Sequence, residues 1–391
     1  MSQLNLGVIG ATHKENERRL PIHPHHFDRI SAELRGRIYL EHGYAERFGV
    51  SDGQLSALVA GVRSREDLIA ECDVILLLKP DARDLVELRT GQVLWGWPHC
   101  VQDEELTQQA LDRRQTLIAF EAMNLWSRAG SFKLHVFHKN NELAGYCSVL
   151  HAMSIVGSSG TYGRRRRAAV LGFGATARGA VTALSALGVH DVDILTNRDV
   201  TEVASPIHSA RIVHFDHEAN SFGGSPATFA VTEEGRVPLA GYLAEHDIIV
   251  NCVLQDTNAP LIFLDDDDLA ALRPNGLIVD VSCDEAMGFS WARPTSFEQP
   301  TFVVGPNVTY YAVDHSPSYL WDSSTWEISE ALLPYLPTVL AGSDAWQADE
   351  TVRRAIEILD GAVLNPNILS FQNRQTHYPY VRRGPGGPEL A

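Results

Sequence analysis

Short apolar runs that stop abruptly at polar or proline-containing segments alternate with stretches of helical spacing over residues 6–120. Residues 6–9 predict a buried strand, and 37–40 a second. The run 74–78 breaks off at Lys79-Pro80, the run 92–97 at Pro98-His99-Cys100, and the run 116–120 at Glu121. A continuous apolar run is what a strand covered on both faces requires. Helical periodicity falls between these runs, at 24–34, 64–71 and 103–114. This alternation predicts a parallel sheet. A long apolar helix over 142–156 leads to a second set of strands at 168–171, 192–195, 247–253 and 277–281. From 329 onward the pattern is helical with proline breaks. The Pro/Gly-rich stretch 378–391 predicts disorder.

The second set begins with Ala168-Ala169-Val170-Leu171-Gly172-Phe173-Gly174-Ala175-Thr176-Ala177, a strand running into Gly-x-Gly-x-x-Ala and then a small-residue helix. Gly172 allows the tight turn, Gly174 lets the backbone approach a pyrophosphate, and Ala177 lets the helix pack on the strand. The helix N-terminus, with Ala175 and Thr176 in its first turn, receives the anion. The fold class expected is therefore α/β, with two Rossmann-like domains and mostly parallel sheets. An acidic residue at the tip of the next strand selects NAD by accepting from the ribose 2′-OH. Here the strand runs into Thr196-Asn197-Arg198-Asp199. A neutral tip at Thr196 or Asn197, with Arg198 beside it, favours NADP, and a register one or two residues along restores NAD through Asp199. Asn251, Val253, Leu254 and Ser282, at or just past the ends of later strands, complete the expected cofactor-binding set.

Composition narrows the partners. The net charge of −17 over 391 residues argues against nucleic acid and anionic membranes. Five scattered cysteines without a Cys-x-x-Cys support neither a disulfide framework nor a zinc site. Asp265 to Asp268 reads as a charged helix start, so no metal is expected. Arg164 to Arg167 reads as a solvated approach to the strand at 168. No run is long enough to span a bilayer, and the cytoplasm is the expected location.

Open α/β sheets bind ligands beyond the carboxyl ends of their strands, and Lys79, His99, Glu121 and Asp284 lie at such ends. Lys79 is one of only four lysines, in a chain that otherwise uses arginine for its cations. A compact ammonium can polarise a carbonyl or, with a lowered pKa, take a proton. His99 titrates in the range a general acid/base needs. Arg19, with Arg18 adjacent, can grip a carboxylate in bidentate fashion.

These motifs together resemble the alanine dehydrogenase and transhydrogenase superfamily, over nearly the whole chain apart from the tail. Asn16-Glu17-Arg18-Arg19-Leu20-Pro21 is similar to its Asn-Glu-x-Arg motif, which implies a substrate-carboxylate role for Arg19. Leu78-Lys79-Pro80 resembles the substrate-lysine motif, 96–102 the catalytic-histidine motif, and 280–284 the motif that places an aspartate near the nicotinamide. Within the superfamily, 137–145, 174–179 and Ala312-Val313-Asp314-His315-Ser316-Pro317-Ser318 resemble the carboxyethylornithine synthases. The last segment is also similar to lysine-forming saccharopine dehydrogenases. The resemblance implies reductive condensation of a 2-oxo acid, pyruvate first, with a side-chain amine such as that of ornithine. His99, Lys79 and Asp284 would be catalytic, and Arg19, Glu121, Asp314 and His315 would bind substrate. It further implies a discontinuous catalytic domain (1–140 with 316–391), a cofactor domain (141–315), a cleft between them, and a homo-oligomer. Alanine dehydrogenase with ammonia and NADH, and a saccharopine-type enzyme with 2-oxoglutarate and lysine, are the alternatives.

Overall fold

The computed structural model describes residues 3–197, 210–218, 227–255 and 260–383. It divides into two compact units, 1–138 with 321–391, and 139–320. In the first, β1 (Leu6–Val8), β2 (Ile38–Glu41), β3 (Gly61–Arg63), β4 (Val74–Leu76), β5 (Val93–Gly96) and β6 (Thr116–Ala119) pair in parallel in the order 3-2-1-4-5-6. This is the doubly wound arrangement, with its switch point between β1 and β4. A hairpin of β7 (Asn124–Trp126) and β8 (Phe132–His135) follows. Alternate residues of the sheet feed separate cores: Val8, Leu76 and Trp95 enter one, Ile75, Leu77 and Leu94 the other. Both faces are therefore covered, and this accounts for the unbroken apolar runs.

The second unit repeats the arrangement. Strands β9 (Arg167–Leu171), β10 (Asp191–Thr196), β11 (Arg211–Glu218), β12 (Ala227–Thr232), β13 (Gly235–Pro238), β14 (Ile248–Asn251), β15 (Ile262–Leu264), β16 (Leu277–Asp280), β17 (Gly288–Phe289), β18 (Thr301–Val304) and β19 (Val308–Tyr311) follow in order. The parallel strands run β11-β10-β9-β14-β16-β19, again 3-2-1-4-5-6. Antiparallel β12 and β13 extend one edge and β18 the other, and β15 pairs with β17 apart from this sheet. The chain then returns to the first unit, where β20 (Ile356–Leu359) lies antiparallel to β6 and β21 (Ala362–Val363) completes the edge.

Three local expectations change. The helix expected at 24–34 is broken: Ile30 is extended, and Ser31 caps a new helical turn, Ala32–Arg35. The arginine run is more than a solvated approach. Arg164 pairs with buried Asp247 at 2.6 Å, and Arg167 with buried Asp193 at 2.9 Å. The expected disorder from 378 onward does not hold as far as Arg383. Tyr380 is buried in a core, Arg382 bridges to Arg374, and Arg382 pairs with Glu104 at 2.6 Å. The remainder of that stretch lies outside the described residues.

Candidate active site

In the first unit the expected polar residues collect beyond the ends of β1, β4, β5 and β6, beside the switch point. Main-chain pairing continues past the strands: Leu77 N–H donates to Trp95 O at 3.1 Å, and Trp97 N–H to Leu78 O at 2.8 Å. Gly96 permits this approach, because a Cβ there would lie 1.9 Å from Leu77 O. The continued ladder brings Lys79 Nζ to 2.9 Å from His99 Nε2. At that distance a lysine ammonium donates to a neutral ring nitrogen.

His99 is held in the left-handed region (φ 48°), rare for a residue with a side chain. Its N–H donates to Glu121 Oε1 at 2.6 Å. The Glu121 carboxyl is pushed up to about 8, chiefly by burial and then by the nearby charge of Glu357. Arg19 is 2 % exposed, whereas Arg18 is exposed. Glu17 holds the Arg19 guanidinium with both carboxylate oxygens, Nε at 2.8 Å and Nη2 at 2.5 Å. The ring of Trp97 lies 5.6 Å beneath it.

In the second unit the glycine turn sits at the switch point between β9 and β14. Gly172 has φ +105°, and a Cβ there would meet Cys252 O at 3.0 Å. Gly174 caps the helix Ala175–Ala186 with no side-chain hydrogen bond to its first N–H groups, and nothing would touch a Cβ placed on it. An uncapped helix start with open space before it fits a pyrophosphate. Asn197 is exposed just past β10, and Arg198 lies outside the described residues.

The later strand ends are tied together. Asn251 Nδ2 donates to Asp280 Oδ1 at 3.0 Å, Val253 N–H to Asn251 Oδ1 at 3.1 Å, and Ser282 Oγ to Val253 O at 2.6 Å. Leu254 is 89 % exposed. Asp280 also accepts from the Tyr310 hydroxyl at 2.5 Å and Cys283 N–H at 3.3 Å. Burial raises the carboxyls of Asp280 and Asp284 to about 6 each. Past β19, His315 Nδ1 lies 2.6 Å from Asp314 Oδ1, and the buried imidazole meets the edge of Phe297 at 4.9 Å.

Sequence reasoning assigned no role to Glu17, Trp97, Asp280, Tyr310 or Glu357. Glu17, Trp97 and Asp280 lie inside motifs already noticed. Glu357 carries no local signal, since only the return of the chain to β6 brings it near Glu121. The acidic run is a helix start as expected: Asp265 Oδ1 accepts from the N–H groups of Asp267 and Asp268. His13, Asp84 and Glu87 bring possible ligand atoms within 4.8 Å of one another. Arg65 already pairs with both carboxylates at 2.6 Å, so a guanidinium neutralises that cluster.

A glycine turn leading an uncapped helix out of a doubly wound sheet, in a chain with a second such sheet, defines the class of nucleotide-binding α/β oxidoreductases. Residues 8–144 match the family described as alanine dehydrogenase/PNT, N-terminal domain, and residues 142–366 its C-terminal domain. The chain belongs to the alanine dehydrogenase/PNT family, and it is an oxidoreductase acting on amino-acid CH–NH bonds. It is 26% identical over 340 residues to an N(5)-(carboxyethyl)ornithine synthase of Clostridium botulinum, covering 84% of this chain and 92% of that protein. It is 25% identical over 378 residues to an alanine dehydrogenase of Mycobacterium tuberculosis, covering 94% and 96%. Among solved structures, an L-alanine dehydrogenase superposes with a TM-score of 0.72 at 20% identity, covering 94% of this chain and 99% of that one. A transhydrogenase from Sinorhizobium meliloti superposes with 0.65 at 18% identity, covering 92% and 99%. Among the described residues no helix is long and apolar enough to cross a membrane.

Proposed function

We propose that the protein catalyses the NADPH-dependent reductive condensation of a 2-oxo acid, pyruvate first, with the side-chain amine of ornithine or a similar diamino acid. The products are a secondary amine such as N5-(1-carboxyethyl)ornithine, NADP and water. The observation that carries this reading is the 2.9 Å contact of Lys79 Nζ with His99 Nε2. It sets a cation that can polarise the keto oxygen against a base that can move protons between amine, carbinolamine and departing water. Arg19, steered by Glu17 and Trp97, is assigned to the oxo-acid carboxylate. Glu121 and Asp314, the latter with His315, are assigned to the second amino acid. A protein that takes only ammonia has no use for an added acidic residue at Asp314, and the Clostridium botulinum relative supports the same choice. The helix start at Gly174 and the strand ends at Asn251, Val253 and Ser282 hold the dinucleotide, and Asp284 lies on its nicotinamide side. When bound, that cofactor supplies the hydride that reduces the imine carbon. Asn197 and Arg198 support NADP over NAD, through a neutral strand tip and a cation for the 2′-phosphate.

Mass spectrometry of the product tests the reading. Pyruvate, ornithine and NADPH should yield the secondary amine, and alanine as the sole product contradicts it. His99→Ala should lower kcat/KM by about 10²- to 10⁴-fold, the usual range for a lost general acid/base.

A further inference from the structure

In the second unit the ends of β14 and β16 lie side by side, with Asn251 in register with Asp280. Both residues are fully buried. Three donors converge on the Asp280 carboxyl. The Tyr310 hydroxyl donates to Oδ2 at 2.5 Å, and Asn251 Nδ2 and Cys283 N–H donate to Oδ1 at 3.0 and 3.3 Å. An ionised carboxylate only accepts, so it dictates how the Asn251 amide faces. The amide nitrogen turns toward Asp280, and the amide oxygen accepts from Val253 N–H at 3.1 Å. Ser282 closes the circuit, its hydroxyl donating to Val253 O at 2.6 Å. Gly288 leaves room for the amide, because a Cβ there would fall 2.9 Å from Asn251 Nδ2. On its other side the same segment braces the glycine turn. Cys252 N–H donates to Leu171 O at 2.9 Å, and Cys252 O is the atom a Cβ on Gly172 would meet at 3.0 Å.

We infer that Asp280, steadied by Tyr310, is a positioning residue for the dinucleotide: it fixes the Asn251 amide, and through it the 251–253 segment that joins the glycine turn to Ser282. Were the amide to turn over, its NH2 group would face Val253 N–H, two donors with no acceptor between them. The segment would then have to move, and the contacts assigned above to Val253 and Ser282 would move with it. The inference rests on that cofactor assignment, so the test reads dinucleotide binding itself rather than turnover.

Titration of the whole protein with NADPH, followed by nicotinamide fluorescence at pH 8, gives Kd with Asp280 and Asp284, both near 6, ionised. Asn251→Asp sets two buried carboxyls against each other with no donor between them and should weaken binding by about tenfold or more. Asp280→Asn points an NH2 group at one of three donors and should also weaken it. Combined, the two substitutions exchange acid and amide. The new carboxylate accepts from Val253 N–H and from the new amide, whose oxygen accepts from Tyr310, so Kd should return to within about threefold of wild type. Tyr310→Phe keeps the buried ring, loses only the donor to Asp280, and should weaken binding even where Asn251→Asp fails to fold. Circular dichroism establishes which variants are folded. Folded single variants with unchanged Kd, or a folded double variant that binds no better than the singles, overturn the positioning role while the cofactor assignment stands. A wild type that binds neither NADPH nor NADH refutes the cofactor assignment, and the positioning role falls with it.

Discussion

Arg19 occupies a buried position because Glu17 accompanies it, with both carboxylate oxygens engaged and an aromatic face below. Removing one partner of a buried ion pair costs about 3 kcal/mol or more, because the other charge stays desolvated. Glu17→Ala should therefore lower the unfolding free energy by about that amount in urea titrations, whereas replacing exposed Arg18 by alanine should change it little. Asp284 makes a second residue-scale prediction. Burial raises its carboxyl to about 6, above its unfolded value. The folded state thus binds a proton the unfolded state releases, and this contribution, full at low pH, is lost as pH rises through about 6. Asp284→Asn removes the dependence, so its stability relative to wild type should increase between pH 4 and 7. Denaturation at the two ends checks the sign. Lys79, His99 and Asp284 stand out in the sequence because each lies at or just past the end of an apolar run. The contact of Lys79 with His99 and the bond from His99 N–H to Glu121 do not, since these join residues beyond different strands.

At the scale of elements, close approaches do the positioning. A Cβ at Gly179 would fall 1.7 Å from Glu142 O, and one at Gly145 would fall 1.9 Å from Thr176 O. The helices His138–Ile155 and Ala175–Ala186 therefore touch backbone to backbone. Gly179→Ala should cost about 1–3 kcal/mol by overpacking and, by tilting the helix that starts at the glycine turn, weaken dinucleotide binding in calorimetric titration. Gly96→Ala should force β4 and β5 apart and lower kcat without a matching loss of cofactor affinity. The strand–turn–helix was readable from Gly172, Gly174 and Ala177: Gly172 and Ala177 answer local steric demands, and Gly174 leaves open space before the helix. The break at Ile30 was not, because the periodicity of 24–34 continues across it and only the Ser31 cap interrupts the helix.

At the scale of the whole molecule, both sheets follow the 3-2-1-4-5-6 order, so each gathers its polar strand ends at a switch point. The alternation of strands and helices foretold parallel sheets. It did not foretell the antiparallel additions, among them β20, which carries Glu357 onto the edge of the first sheet. That strand pairs with a partner far away in sequence, and a short apolar segment gives no sign of such a pairing. Residues 378–383 went the same way: tyrosines and arginines in a Pro/Gly-rich stretch look solvated until a core receives Tyr380. The central claim is the union of two amino-acid frameworks through a new C–N bond. It is tested most directly by following NADPH and NADH oxidation at neutral pH, with pyruvate fixed and ornithine, lysine or ammonia offered in turn. Turnover with NADPH and a diamino acid, and little with ammonia, is the predicted result. Efficient turnover with ammonia and NADH, and none with either diamino acid, would contradict the account.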